Sequence, residues 1–154
     1  MTTITCDDLM TARPTVCNAR TAVIDAAELM RDEDLGWLPV VDDGQGRKLL
    51  GVVTDRDLII RVMADGLDPG GIAVEEVMTR RPVACASGDT IAAALAAMAS
   101  HQVRRVPVVH EGGLVGVVSQ ADIALYLRDA ERTAEMLRRI SRATISHPSM
   151  SVRW

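Results

Sequence analysis

The sequence predicts an α/β fold made of a strand–helix–strand–strand–helix unit used twice, and three observations carry that reading. The stretch Gly51-Val52-Val53-Thr54-Asp55-Arg56-Asp57 returns as Gly116-Val117-Val118-Ser119-Gln120-Ala121-Asp122. Shifting the chain by 68 positions lays Met10-Thr11 on Met78-Thr79, Pro14 on Pro82, Cys17 on Cys85 and Pro39-Val40-Val41 on Pro107-Val108-Val109. The offset then falls to 65, and the lost residues lie between Asp42-Asp43-Gly44-Gln45-Gly46 and His110-Glu111-Gly112-Gly113. A hairpin turn is where length changes without disturbing the register of the flanking strands. An internal duplication explains all three.

Each copy reads the same way in order. A short extended segment lies around Pro14-Thr15-Val16 and around Pro82-Val83-Ala84. A helix follows over 21–32 and over 90–102, with Val23, Ala27, Met30 and Ile91, Leu95, Met98 on one face, and cap-type residues such as Ser87 and Asp89 before the second. Two strands come next, 38–41 with 49–53 and 106–109 with 114–118, joined by Gly-rich turns. A second helix closes each unit, from Asp55 to about Ala64 and from Gln120 to about Ala130. One unit of roughly 55 residues is too small to stand comfortably alone. Two packed sheet to sheet with pseudo-twofold symmetry bury both apolar faces.

The expected organisation is a first motif at 6–64, a Gly/Pro/Asp linker at 65–74, a second motif at 75–128 and a C-terminal helix and tail at 129–154. Positions 125–143 keep a helical pattern, with Leu127, Ala134, Leu137 and Ile140 on a loose stripe, and Ser146-His147-Pro148-Ser149-Met150-Ser151 reads as a frayed tail.

Composition bounds the function. The chain has 154 residues, 48% apolar and 25% charged, with 2% aromatics and no Phe, so its core is built from Val, Leu, Ile, Ala and Met. A net charge of −4 argues against a general affinity for nucleic acid. No apolar run reaches the roughly 18 residues of a membrane span. The first ten residues carry Asp7 and Asp8 and no basic residue, unlike a secretory signal. Three cysteines without a framework fit a reducing cytosol, so the expected location is cytoplasmic.

The repeated stretch is also where chemistry is expected. Val-Val ends a strand, and a hydroxyl residue with an acid three positions later starts a helix, where backbone N–H groups point outward and attract oxygen-rich ligands. The same spacing is a capping box, which stabilises a helix start by about 1 kcal/mol and binds nothing. The sequence leaves both readings open.

Met10-Thr11 with Pro14, Leu38-Pro39-Val40-Val41 and Gly51–Asp57, together with their second copies, resemble a tandem pair of cystathionine-β-synthase (CBS) motifs, a Bateman module. The likeness covers about 6–127. Thr54-Asp55-Arg56-Asp57, Gly66-Leu67-Asp68-Pro69 and 101–108 are similar to the small stand-alone CBS-pair proteins of the hypoxic response protein type. That resemblance implies a disc-shaped homodimer whose clefts bind adenine nucleotides (AMP, ADP or ATP) or other adenosyl ligands such as S-adenosylmethionine. Carried over by position, Asp57 and Asp122 accept ribose hydroxyls. Thr54 and Ser119 offer a hydroxyl. Arg56, Arg80, Arg81, Arg104 and Arg105 meet phosphate. Thr15, Val16, Val83 and Ala84 read the base edge through backbone groups, between Leu38-Pro39 and Val106-Pro107 as apolar walls. At about 0.3 kcal/mol per heavy atom, a ligand of roughly 23 such atoms binds near 10 μM, a sensor's range.

Nothing in the chain assembles catalytic groups around Asp55, Arg56 and Asp57, so no enzyme is expected. Neither is a required cofactor or a metal site, since His101, His110 and His147 lack ligand spacing. Gly44-Gln45-Gly46 is a turn rather than a dinucleotide fingerprint. Cys17 and Cys85 read as small buried residues, with a redox or metal role as the alternative. The expectation is a regulatory protein that signals to an unknown partner protein by changing shape. The alternative is a ligand-free interaction or stress-response scaffold whose hydroxyl-x-x-Asp stretches are only caps.

Overall fold

The structure is a computed structural model and describes residues 3–127 and 130–141. Two four-stranded sheets run in the order β2-β3-β4-β5 and β1-β8-β7-β6. The strands are β1 (Thr11–Ala12), β2 (Cys17–Asn18), β3 (Trp37–Val41), β4 (Leu49–Thr54), β5 (Thr79–Arg80), β6 (Cys85–Ala86), β7 (Arg105–His110) and β8 (Gly113–Ser119). Under the repeat, β1 to β4 correspond to β5 to β8, so both sheets have one order with the edge strand exchanged. The second repeat supplies β5 to the first sheet, and the first supplies β1 to the second. In the first sheet β2 runs parallel to β3, and β3–β4 and β4–β5 are antiparallel, with Leu38 opposite Val53 and Gly51 opposite Arg80. Gly51 is required here: a Cβ would meet Met78 Sδ and the Thr79 carbonyl oxygen at 2.7 Å each.

The helices are α1 (Cys6–Leu9), α2 (Val23–Asp32), α3 (Asp55–Leu58), α4 (Val74–Val77), α5 (Ile91–His101), α6 (Gln120–Tyr126) and α7 (Ala130–Ser141), and α3 runs on into a π-helical turn over Ile59–Met63. Contacts divide the described residues into two compact units. One draws on stretches within Met1–Thr11, Val83–Val108 and Val117–Trp154, the other on Ala12–Pro82 and Val109–Gly116. The units interleave the repeats, because each repeat's first short helix docks on the other repeat.

In the second of these units, Leu38, Val40 and Val53 from the sheet pack with Val23, Ala26 and Met30 of α2 and with Val62, Val74, Val77 and Met78. Fully burying a side chain of this kind contributes about 1.5–3 kcal/mol. The other unit repeats the pattern, with Ile91, Ala94, Met98, Val106, Val108, Val118 and Ile123 buried. The inward face is turned one residue from the expected one. Ala26 and Ala94 are buried, while Ala27 and Leu95 are only partly so.

Several expectations need correction. The segments at Pro14-Thr15-Val16 and Pro82-Val83-Ala84 are irregular, and the strands lie just beyond them. The cap of α5 is Thr90, whose Oγ1 accepts the Ala93 N–H at 3.2 Å, while Asp89 accepts the Ala86 N–H at 2.8 Å in the turn before it. The helical pattern over 125–143 is not continuous. Leu127, at ψ 85°, leaves the helical region, and a separate α7 buries Met136 and Ile140 rather than Leu137. Positions 142–143 and the tail lie outside the described residues. The short α1 and α4, and the two-residue β1 and β5, are too brief to leave a periodic signal.

Candidate functional site

At the first strand-to-helix turn, the Thr54 N–H and Oγ1 both donate to Asp57 Oδ2 at 2.9 Å, and the Asp57 N–H returns a bond to Thr54 Oγ1 at 3.1 Å. The second turn matches it. The Ser119 N–H and Oγ donate to Asp122 Oδ2 at 2.8 and 2.7 Å, and the Asp122 N–H donates to Ser119 Oγ at 3.2 Å. Both are complete capping boxes, so the stabilising role is present in each. Each hydroxyl proton is committed to the carboxylate, so Thr54 and Ser119 keep only a spare lone pair. What remains for a ligand is mainly the second carboxylate oxygen, Oδ1.

That oxygen distinguishes the turns. Asp57 Oδ1 lies 3.5 Å from Arg61 Nη2, and Arg61 Nη1 donates to the Val77 carbonyl at 2.6 Å. Asp122 Oδ1 has no hydrogen-bond partner among the described residues. Arg61 was missed in the sequence, although its i,i+4 spacing from Asp57 could have shown it.

The necks of the turns differ in charge. The Asp55 N–H donates to the Gly36 carbonyl at 3.1 Å, and the equivalent Gln120 N–H donates to the Arg104 carbonyl at 2.9 Å. A Cβ on Gly36 would stand 2.9 Å from Asp55 Oδ2. The first neck therefore holds a carboxylate where the second carries Arg104.

The remaining expected residues fall into place unequally. Arg56, Arg104 and Arg105 are exposed. Arg80 is exposed but tethered, with Nη2 donating to the Glu75 carbonyl at 2.9 Å. Thr15, Val16 and Val83 are half-buried, while Leu38, Pro39, Val106 and Pro107 are buried within their sheets. Arg13 and Arg81, each just before a proline, share a left-handed backbone at φ 50°. Such strain in a non-glycine residue, repeated in both copies beside the expected ligand segments, is a feature functional sites retain.

Two apolar grooves adjoin these turns, and Asp55 of the first turn lines one of them. One, of about 560 Å³, runs between α2 and the α3–π helix and is lined by Val23, Met30, Ile59, Val62, Met63 and Leu67. Ile59 and Met63 are 56% and 74% exposed there. The other, of about 430 Å³, lies between α5 and α6, and its lining includes Met136 and Arg139 of α7. Thr54, Asp57, Ser119 and Asp122 line neither. Among the described residues, no group of three His, Cys, Asp or Glu could hold a metal ion, and no helix is long and apolar enough to cross a membrane.

Comparison with known proteins agrees with this architecture. The sequence model of one family, the CBS domain, matches residues 6–64 and 74–129. YlbB, an uncharacterized protein of Bacillus subtilis, is 39% identical over 134 residues, which are 87% of this chain and 89% of YlbB. Hypoxic response protein 1 of Mycobacterium tuberculosis is 39% identical over 80% of this chain and 85% of its own. Its crystal structure with two coordinated zinc ions superposes with a TM-score of 0.73, covering 80% of this chain and 98% of that one. CBSX2 in complex with AMP is 27% identical, with a TM-score of 0.68, covering 88% of this chain and 98% of that one.

Proposed function

Because the chain belongs to the CBS-domain family and carries the domain twice, we propose that it is a non-enzymatic regulatory protein that binds an adenine nucleotide of the AMP, ADP or ATP type at its strand-to-helix turns. The observation that supports this best is the second turn, where Asp122 offers a carboxylate oxygen with no described partner beside Ser119 and the Arg104 neck. A ribose needs such an acceptor for its vicinal hydroxyls, and a phosphate needs the neighbouring positive charge. Val83, Arg104, Arg105, Val106 and Pro107 accompany Ser119 and Asp122. Thr15, Val16, Leu38, Pro39 and Arg56 accompany Thr54 and Asp57, and Arg80, a second-copy residue, joins them because it pairs with Gly51 in the first sheet. The AMP complex of CBSX2 supports the ligand class. S-adenosylmethionine is the further adenosyl ligand to screen.

Binding shifts the chain between conformations, and an unidentified partner protein reads the shift. The chain pairs with a second copy through the exposed apolar face of α2 and the α3–π helix, where Ile59 and Met63 lie open. Three free, buried cysteines fit a reducing cytoplasm.

Isothermal titration with AMP, ADP, ATP and S-adenosylmethionine tests the reading. We expect a dissociation constant of about 10 μM for at least one of them, and its loss in Asp122→Ala. A second reading, the ligand-free scaffold, is favoured by the completeness of both capping boxes. Under it, Asp122→Ala lowers the melting temperature and no adenosine ligand gives heat below millimolar.

A further inference from the structure

The repeat places four positions in equivalent surroundings, and one pair of them carries two thiols. Cys6 opens α1, and its N–H donates to the Asp89 carbonyl at 2.8 Å, while the Asp7 N–H donates to the Ser87 carbonyl at 3.1 Å. Thr5 and Thr90 form an antiparallel bridge. These bonds hold Cys6 over the segment that follows Cys85, the first residue of β6. Both side chains are buried, at 0% and 4% exposure, and each thiol lies close enough to perturb the titration of the other.

The other repeat builds the same joint with different atoms. The Val74 N–H donates to the Thr21 carbonyl at 2.8 Å, the Glu75 N–H to the Ala19 carbonyl at 2.9 Å, and Ala22 bridges Ala73. Residues 74 and 17 are the counterparts of 6 and 85, so Val74 packs with Cys17 where Cys6 meets Cys85. Cys85 thus finds its partner in Cys6 and not in Cys17, its twin in the sequence.

We propose that Cys6 and Cys85 are a dithiol site that a small disulfide, such as oxidised glutathione, closes into an intrachain disulfide tying α1 to β6. One thiolate attacks the glutathione disulfide, forming a mixed disulfide and releasing one glutathione thiolate. The second protein thiolate then attacks the mixed disulfide and releases the other. The protein loses two protons and two electrons, and both protons end on the two reduced glutathiones. Burial and the neighbouring carboxylates of Asp89 and Asp7 push the Cys6 thiol up to about 12, and burial also raises Cys85. The closed pair therefore reacts slowly. The four-residue α1 must lift to admit the reagent, and alkaline pH speeds the exchange.

Intact-mass and peptide mapping after incubation with oxidised glutathione, in native buffer at mildly alkaline pH, test the site. The expected result is a loss of two hydrogens, a linked Cys6–Cys85 peptide and a melting temperature raised by roughly 5–10 °C. Cys17→Ala keeps all three, whereas Cys6→Ala and Cys85→Ala lose the link. Val74→Cys, which puts a second thiol opposite Cys17, loses two further hydrogens. Wild-type protein that still shows three free thiols when unfolded overturns the proposal. So does a link made through Cys17 or between two chains.

Discussion

The two strand-to-helix turns share a backbone and a capping box, yet they hold different charge. At the first, Arg61 occupies the outer oxygen of Asp57, and Asp55 sits against Gly36. At the second, the outer oxygen of Asp122 has no described partner, and Arg104 stands at the neck. The helix faces differ in the same spirit: α7 lies over α5 and α6, while Ile59 and Met63 on the face of α2 and the α3–π helix are largely exposed. A duplicated unit keeps what the fold demands at equivalent positions. The differences between the copies are therefore where function is to be sought. The capping hydroxyl and acid are common property, and the charge around them is not.

The comparison is first tested where the copies are expected to agree. Met30→Ala and Met98→Ala truncate equivalent core residues that are 5% and 0% exposed. Each should cost about 2–5 kcal/mol in chemical denaturation, with Met98→Ala at least as severe. A cost confined to one of them would break the equivalence of the two cores.

The next test separates the covered face from the exposed one. Met136, 1% exposed on α7, should lose about 2–4 kcal/mol on truncation to Ala. Met63, 74% exposed, should lose less than about 0.5 kcal/mol in the monomer. Met63→Asp should instead weaken self-association in analytical ultracentrifugation, which Met136→Ala should leave intact.

Smaller effects belong to the turns. Thr54→Ala and Ser119→Ala should each cost about 1 kcal/mol, because each removes one cap. Asp57→Asn should also release Arg61 from its 3.5 Å contact. At about half exposure, Arg61 makes that loss a few tenths of a kcal/mol.

The last effects show only at the extremes of pH. The folded state raises Cys6 from 9.0 to about 12, so it favours the protonated thiol. That contribution is whole below pH 9 and fades between pH 9 and about 12. Wild type should lose stability over that window faster than Cys6→Ala in thermal melts. Asp8, held low by the Thr5 N–H and hydroxyl, acts in the opposite direction. Its contribution is present above its ordinary range near 3.8 and is lost as pH falls below it.

Much of this was legible in the chain because duplication repeats its own evidence. The strands at Leu38 and Leu49, the helix at Val23 and the turn at Thr54 each appear twice in register. The readings that failed lacked that support or ran shorter than a period. Cys17 and Cys85 are the small buried residues the sequence suggests, but the docking of each repeat's short helix on the other, which brings Cys6 to Cys85, leaves no signal in it. The break at Leu127 was hidden because apolar residues continue past it at helical spacing. Arg61 was overlooked because it lies one helical turn past Asp57, beyond the end of the repeated stretch.

The central claim is that the second turn is the better nucleotide site. The most direct measurement is calorimetric titration of AMP into wild type, Asp57→Asn and Asp122→Asn. The account predicts binding near 10 μM (about 7 kcal/mol) that Asp122→Asn weakens at least about tenfold and Asp57→Asn weakens less. Equal binding by all three proteins, or no heat from wild type below millimolar AMP, would contradict it.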